Sequence, residues 1–220
     1  MNRYLEKLPY WEHLNDEERL MVGENSVLTH YDKGTYIHGG SNDCLGMILV
    51  ISGEVRTYLM SEEGREITLF RLYEADPCVL SASCVITEIT FDTHMVAERD
   101  CDILVVNTGA FAALTEKNIY VKCFMYELAT ERFSAVMWSM QQILFMGMDR
   151  RLATFLIGEL DRTGIPEIRM THEQIAQHIS SAREVVARMV KRFAAEGLVE
   201  VSRGTIKIKN EERLRKFSVI

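Results

Sequence analysis

The chain has 220 residues, with 25 Lys+Arg against 32 Asp+Glu and a net charge of −7. Its 47% hydrophobic content suits a globular protein with one large or two small cores. The longest apolar run, MILVI, falls far short of the roughly 18 residues of a membrane span, and five irregularly spaced cysteines without a CxxC argue against a disulfide framework or structural zinc.

The N-terminal stretch MNRYLEKLPYWEHLNDEERL carries several charges and no apolar signal core, which points to a cytoplasmic protein. Residues 1–24 read as helical, with Asn15 and Asp16 as start signals before EERLMVG. From about Ser26 to Asn107 the pattern changes to short strands cut by turn residues: KGTYIHGG, MILVISGEVRTYLM, REITLFRLY, ITFDTHMVAE and CDILVVN. Strands at this spacing predict a β-barrel or jelly roll rather than a parallel sheet. No phosphate loop, GxGxxG or triad spacing occurs. From Gly109 about 37 residues run without proline or internal glycine, which predicts a short helix followed by a long one. Tyr126, Phe133 and Met140 repeat every seven residues, and Thr130, Met137 and Leu144 follow each four later. This is an a/d seam for a second copy of the chain. Gly147 marks a hinge before DRRLATFLIGEL, a further helix.

The stretch THEQIAQHISSAREVVARMVKRFAAEGLVEV carries two capping-box patterns, Thr171 with Gln174 and Ser181 with Glu184, so helices are expected to start near His172 and Ala182. Gly197 stands where a glycine ends the second helix. On a wheel of about 100° per residue, Val186, Met189, Val190 and Phe193 share one face of that helix. Arg183, Glu184, Ala187, Arg188 and Lys191 share the other. A core face beside a free, charged face is the layout of a helix-turn-helix whose second helix enters the DNA major groove; a plain helical hairpin with a solvated face is the bland alternative. LVEVSRGTIKIK then reads as two strands around a tight turn, a wing with Arg203 at its tip, within reach of a phosphate. Charge agrees: residues 150–220 hold 14 Lys+Arg and 9 Asp+Glu, net +5, while residues 1–149 hold 11 and 23, net −12.

A β-roll, a long helix and a winged helix-turn-helix together resemble the Crp/Fnr superfamily of bacterial transcription regulators over essentially the whole chain. DRRLATFL, THEQIAQHISSAREVVARMVKRF and GTIKI carry most of the resemblance, and ISGEVRTYL a weaker part. It implies an α+β protein: a cyclic-nucleotide-binding-like β-roll over 1–108, a dimerisation helix and hinge over 109–147, and a winged helix-turn-helix over 148–220. It also implies a homodimer on double-stranded DNA, RNA polymerase as a partner, and no enzymatic activity. In the catabolite-activator branch the second helix of the motif carries Arg-Glu followed four residues later by Arg, matched by Arg183, Glu184 and Arg188. Arg forks onto guanine O6/N7 and Glu accepts from cytosine N4, so the resemblance implies a palindromic TGTGA-like operator. Thr171, His172, Ser180, Ser181, Lys191 and Arg203 are then the expected phosphate contacts.

The effector site departs from that pattern. Cyclic-AMP binders of the family have Gly-Glu for the ribose and Arg-Ser for the phosphate; the corresponding positions here are Val79-Leu80 and Phe91-Asp92. No arginine lies between Arg71 and Arg99, so cyclic AMP is not expected to bind. The N-terminal cysteine cluster of the oxygen-sensing branch is also missing. Three readings of the effector stay open: a thiol switch between Cys78 and Cys84, haem held by His94 or a cysteine, or an apolar pocket lined by Phe91 for an aromatic or other small acid. Two rivals of other classes are a cupin-like enzyme, for which His30, His38 and His94 are too scattered, and a nucleotide-sensing module without DNA function, which leaves the basic winged segment unexplained.

Overall fold

The structure is a computed structural model and describes residues 2–39, 45–80 and 93–218. It is an α+β protein that divides into two compact units, one of residues 1–64 and 69–137, the other of 65–68 and 138–220.

The first unit opens with a short helix α1 (Asn2–Leu5), a 3₁₀ turn (Trp11–His13) and α2 (Asp16–Glu24). Asn15 caps α2 as its sequence predicts: its side chain accepts from the Glu18 N–H while Glu18 reaches back to the Asn15 N–H. Then come strands β1 (Ser26–Tyr31), β2 (Tyr36–Gly39), β3 (Met47–Met60), β4 (Glu66–Leu72), β5 (Pro77–Cys78) and β6 (His94–Val106). The sheet runs β1-β6-β3-β4, with β2 also pairing β6 and β5 pairing β3. HMVAE and CDILVV, read from sequence as parts of two strands, form one 13-residue strand, β6. The Arg99-Asp100 step stays within it because Glu54 pairs with Arg99 in register and the Asp100 carboxylate accepts from the Lys33 N–H. Gly53, at φ +89°, makes the bulge in β3 that this pairing needs. A Cβ there would stand 2.3 Å from the Asp100 carbonyl oxygen.

Helix α3 (Thr108–Lys117) and the 27-residue α4 (Ile119–Phe145) follow, as expected of a short helix and a long one. Asn118 separates them: its backbone is extended and its side-chain oxygen accepts from the Tyr120 and Val121 N–H groups. Val121, Met125 and Leu128 of α4 are buried with Met47, Leu49, Leu104, Phe111 and the N-terminal helices. A second apolar cluster fills the roll from Ile48, Val50, Val55, Leu72, Met95, Ala97 and Ile103.

The second unit has α5 (Met148–Thr163), β7 (Glu167–Ile168), α6 (His172–His178), α7 (Arg183–Ala195), β8 (Val199–Ser202), β9 (Thr205–Ile208) and α8 (Glu211–Ser218). Its three strands run β7-β9-β8. Leu152, Leu156, Ile175, Val186, Val190, Phe193, Leu198, Ile206 and Leu214 form one core. No helix among the described residues is long and apolar enough to cross a membrane.

Candidate nucleic-acid interface

Helix α6 starts where its sequence predicts. Thr171 accepts from the Gln174 N–H at 3.2 Å, and Gln174 accepts from the Thr171 N–H at 2.9 Å. The Thr171 hydroxyl is therefore engaged in its own capping box.

The helix ends in a Schellman turn. The Ser181 N–H donates to the Ala176 carbonyl, and Ser180 adopts a left-handed φ of 53°. Arg151, from α5, closes the turn by donating to the Ile179 and Ser180 carbonyls at 3.0 and 3.3 Å. Two sequence expectations give way here. Ser180 is only 6% exposed and is the turn residue, not a surface phosphate contact. Ser181 does not cap α7: the cap is Ala182, which has no side-chain hydrogen bond, so Glu184 falls at the second helical position and no second capping box forms. Committing the Ser181 N–H to the end of α6 delays the next helix by one residue.

Helix α7 buries Val186, Val190 and Phe193, and Met189 packs against that core. Its end is a second Schellman motif: Gly197, at φ +70°, donates to Ala194, and Leu198 donates to Phe193 at 2.9 Å. On the opposite face Arg183, Glu184, Arg188 and Lys191 are all exposed; His172 of α6 and Ser181 of the turn are half-buried. The wing is a two-residue turn, Arg203-Gly204, between paired Ser202 and Thr205, and it leaves Arg203 exposed.

The ion pairs separate two groups of cations in this unit. Arg162, Arg169, Arg192, Lys207, Lys209, Arg215 and Lys216 each lie within 4.0 Å of a carboxylate. Arg213 donates to the Glu196 carbonyl. The side chains of Arg183, Arg188, Lys191 and Arg203 have no hydrogen bond or ion pair among the described residues. Arg151 and the Arg192–Asp149 pair, 3.9 Å apart, are what sequence reading missed; each spans distant segments and leaves no local signal.

In the first unit, Cys78 and Val79 are fully buried and Leu80 nearly so. Neither Val79 nor Leu80 offers a side-chain donor or acceptor for a ribose. Cys84, Phe91 and Asp92 lie outside the described residues. Burial of Cys78 is unfavourable to thiol chemistry, and burial pushes the Cys101 thiol up to about 11. The His94 ring is bonded to the Tyr36 hydroxyl and stacks on Tyr58 at 5.4 Å. Among the described residues no three His, Cys, Asp or Glu side chains are grouped to hold a metal.

Along α4, Tyr126 is 51% exposed, Phe133 65% and Leu144 65%, with Thr130, Met137 and Met140 also exposed. These six positions form a stripe distinct from the buried Val121, Met125 and Leu128 face.

Known proteins match this arrangement. The model of the Crp-like helix-turn-helix domain fits residues 150–217, and that of the cyclic nucleotide-binding domain fits residues 28–118. A transcriptional regulator of the Crp/Fnr family from Eubacterium rectale is 41% identical, covers 97% of this chain and 99% of its own, and superposes with a TM-score of 0.92. The transcriptional regulator flp of Lacticaseibacillus casei is 26% identical over 96% of both chains. The cyclic AMP receptor protein of Thermus thermophilus is 24% identical over 78% of this chain and 79% of its own. Both domain matches lie in the order of the two units, and the 41% identical relative spans nearly the whole length. The chain belongs to the Crp/Fnr family of transcriptional regulators, which are not enzymes.

Proposed function

We propose that this protein is a cytoplasmic homodimer that reads a palindromic, TGTGA-like site on double-stranded DNA. The division of labour is a sensory roll over 1–108, a dimerisation helix and hinge over 109–147, and a DNA-binding domain over 148–220. Arg183, Glu184 and Arg188 contact base edges. Lys191 and Arg203 contact phosphates, with Thr171, His172 and Ser181 at the margin. The observation that supports this reading is the sorting of cations: among the described residues, those of the α7 face and the wing tip have no side-chain partner while their neighbours are neutralised. A charge kept unpaired on one face is available to an external anion, and the DNA backbone is one.

Dimerisation rests on the exposed stripe Tyr126, Thr130, Phe133, Met137, Met140 and Leu144. A contiguous apolar row at heptad spacing is costly to leave in water, and a second copy matches it with itself. The dimer in turn supplies the two-fold axis that a palindrome requires. An effector other than cyclic AMP acts through the roll by shifting the balance between DNA-competent and incompetent states, with RNA polymerase as the downstream partner.

The test is operator selection with wild type, then binding by Arg188→Ala across single-base variants. A loss of about 1–3 kcal/mol confined to one base pair per half-site is expected, against wild-type protein that sediments as a dimer. Equal affinity of the variant for the selected site overturns the base-contact assignment, and a monomer in sedimentation overturns the seam.

A further inference from the structure

Helix α4 lays Val121, Met125 and Leu128 into the core of the first unit. At 100° per residue, the next position on that same face, one turn on, is Arg132. A cation where the stripe calls for an apolar residue is a local break in an otherwise consistent pattern, and such breaks are expected at functional or strained positions.

The surroundings of Arg132 make the break specific. Its guanidinium lies over the Phe70 ring, 5.0 Å from the centroid, and Nη2 donates to the Pro77 carbonyl at 2.8 Å. Nε is buried and has no acceptor. No carboxylate pairs with Arg132 among the described residues, Glu127 and Glu131 of the same helix included. The other sheltered arginines of the roll are neutralised: Arg56 by Glu98 at 2.8 Å, Arg71 by Glu54 at 3.0 Å. A partly buried guanidinium with one donor used of five and no counterion among the described residues is open to an anion, in an orientation already set by Phe70 and Pro77.

We infer that Arg132 anchors the effector and that the effector is a small organic monocarboxylate with an apolar body. The carboxylate matches the planar fork of the guanidinium with two parallel hydrogen bonds. A single uncompensated cation balances one negative charge, not the two of a phosphate monoester. Phe70, which packs against the apolar cluster of the roll, offers the non-polar body a surface. Pro77 opens β5 and the run into Cys78, Val79 and Leu80, so occupancy of Arg132 acts at one point on both the roll and the helix that carries the exposed seam. This inference rests on the reading of the protein as an effector-controlled regulator and supplies the chemical class which that reading leaves open.

The experiment is a thermal-melting titration of the full-length protein, without DNA, with acetate, butyrate, octanoate, benzoate and phenylacetate, each beside its neutral amide and beside inorganic phosphate. In parallel, the Arg132 Nε–H resonance is followed by NMR. At least one acid is expected to raise Tm by about 4 °C at ten times its Kd and to shift that resonance, while its amide does neither. Arg132→Gln abolishes the response and Arg132→Lys keeps a smaller part of it. Acids that leave the wild-type resonance unmoved overturn the proposal even if the Gln variant does not fold. So do an acid response that persists in Arg132→Gln, and a response to phosphate alone. Failure of operator binding with the acid response intact breaks the DNA reading and leaves this site standing.

Discussion

In the roll, Glu54 has 3% of its side chain exposed and sits 3.0 Å from Arg71 and 3.4 Å from Arg99, while Arg56 lies against Glu98. On α7, four charged side chains stand in solvent with no partner among the described residues. Both regions are rich in arginine, yet one consumes its charges and the other withholds them. A buried ion pair adds little net stability over apolar packing but is costly to break, so it fixes strand register. An unpaired exposed cation costs almost nothing to keep and retains its whole field for a ligand. Arg132 belongs with neither group, being sheltered like the first and, among the described residues, without a carboxylate like the second.

The largest effect that tests this contrast is on stability. Glu54→Gln leaves Arg71 sheltered without its carboxylate and is expected to cost about 3–5 kcal/mol in urea unfolding. A cost below about 1 kcal/mol means the roll pairs are as solvated as surface pairs, and the contrast fails.

A smaller effect compares a free cation with a paired one. Arg203→Ala is expected to weaken DNA binding about equally for all sequences and to lower the slope of log affinity against log salt by about 1. Lys216→Ala, which removes the 2.8 Å partner of Glu212, leaves that slope unchanged. Equal slopes for the two variants remove the distinction.

The smallest effect lies on the surface of the roll. His30 Nδ1 is 2.8 Å from Asp102, which also accepts from the Ser52 hydroxyl. The hydrogen bond to Asp102 raises the His30 pKa, desolvation opposes it, and the charges of Asp102, Asp32 and Asp100 add to the rise. The same bond, and then that from Ser52, lowers Asp102. The His30 contribution is complete below its unfolded pKa and disappears as pH rises through the raised folded value. The Asp102 contribution is complete above its unfolded pKa and disappears as pH falls through the lowered one. The pair is therefore fully charged only between the two folded values. An NMR titration should place His30 above the ordinary imidazole value, and Asp102→Asn should bring it back down; an unchanged His30 in that variant refutes the assignment.

The sequence by itself determined the features whose cause is local. The 3.6-residue spacing of Val186, Val190 and Phe193 against Arg183, Arg188 and Lys191 sets both faces of α7 whatever surrounds it, and Asn15 and Thr171 bond to groups three residues away. The heptad row of α4 is of the same kind. Tertiary structure decided what depends on distant segments. Ser180 and Ser181 carry capping chemistry in their side chains, but Arg151, 28 residues before Ile179, and the backbone bond from Ser181 to Ala176 turn them into the end of α6. The Glu54–Arg71–Arg99 group needs the bulge at Gly53 to bring three strands into register. Arg132 is visible in sequence as a charge on an apolar stripe. Only packing shows that Phe70 and Pro77 meet it and that no carboxylate among the described residues does, because ion pairing depends on separation in space, which position along the chain does not set.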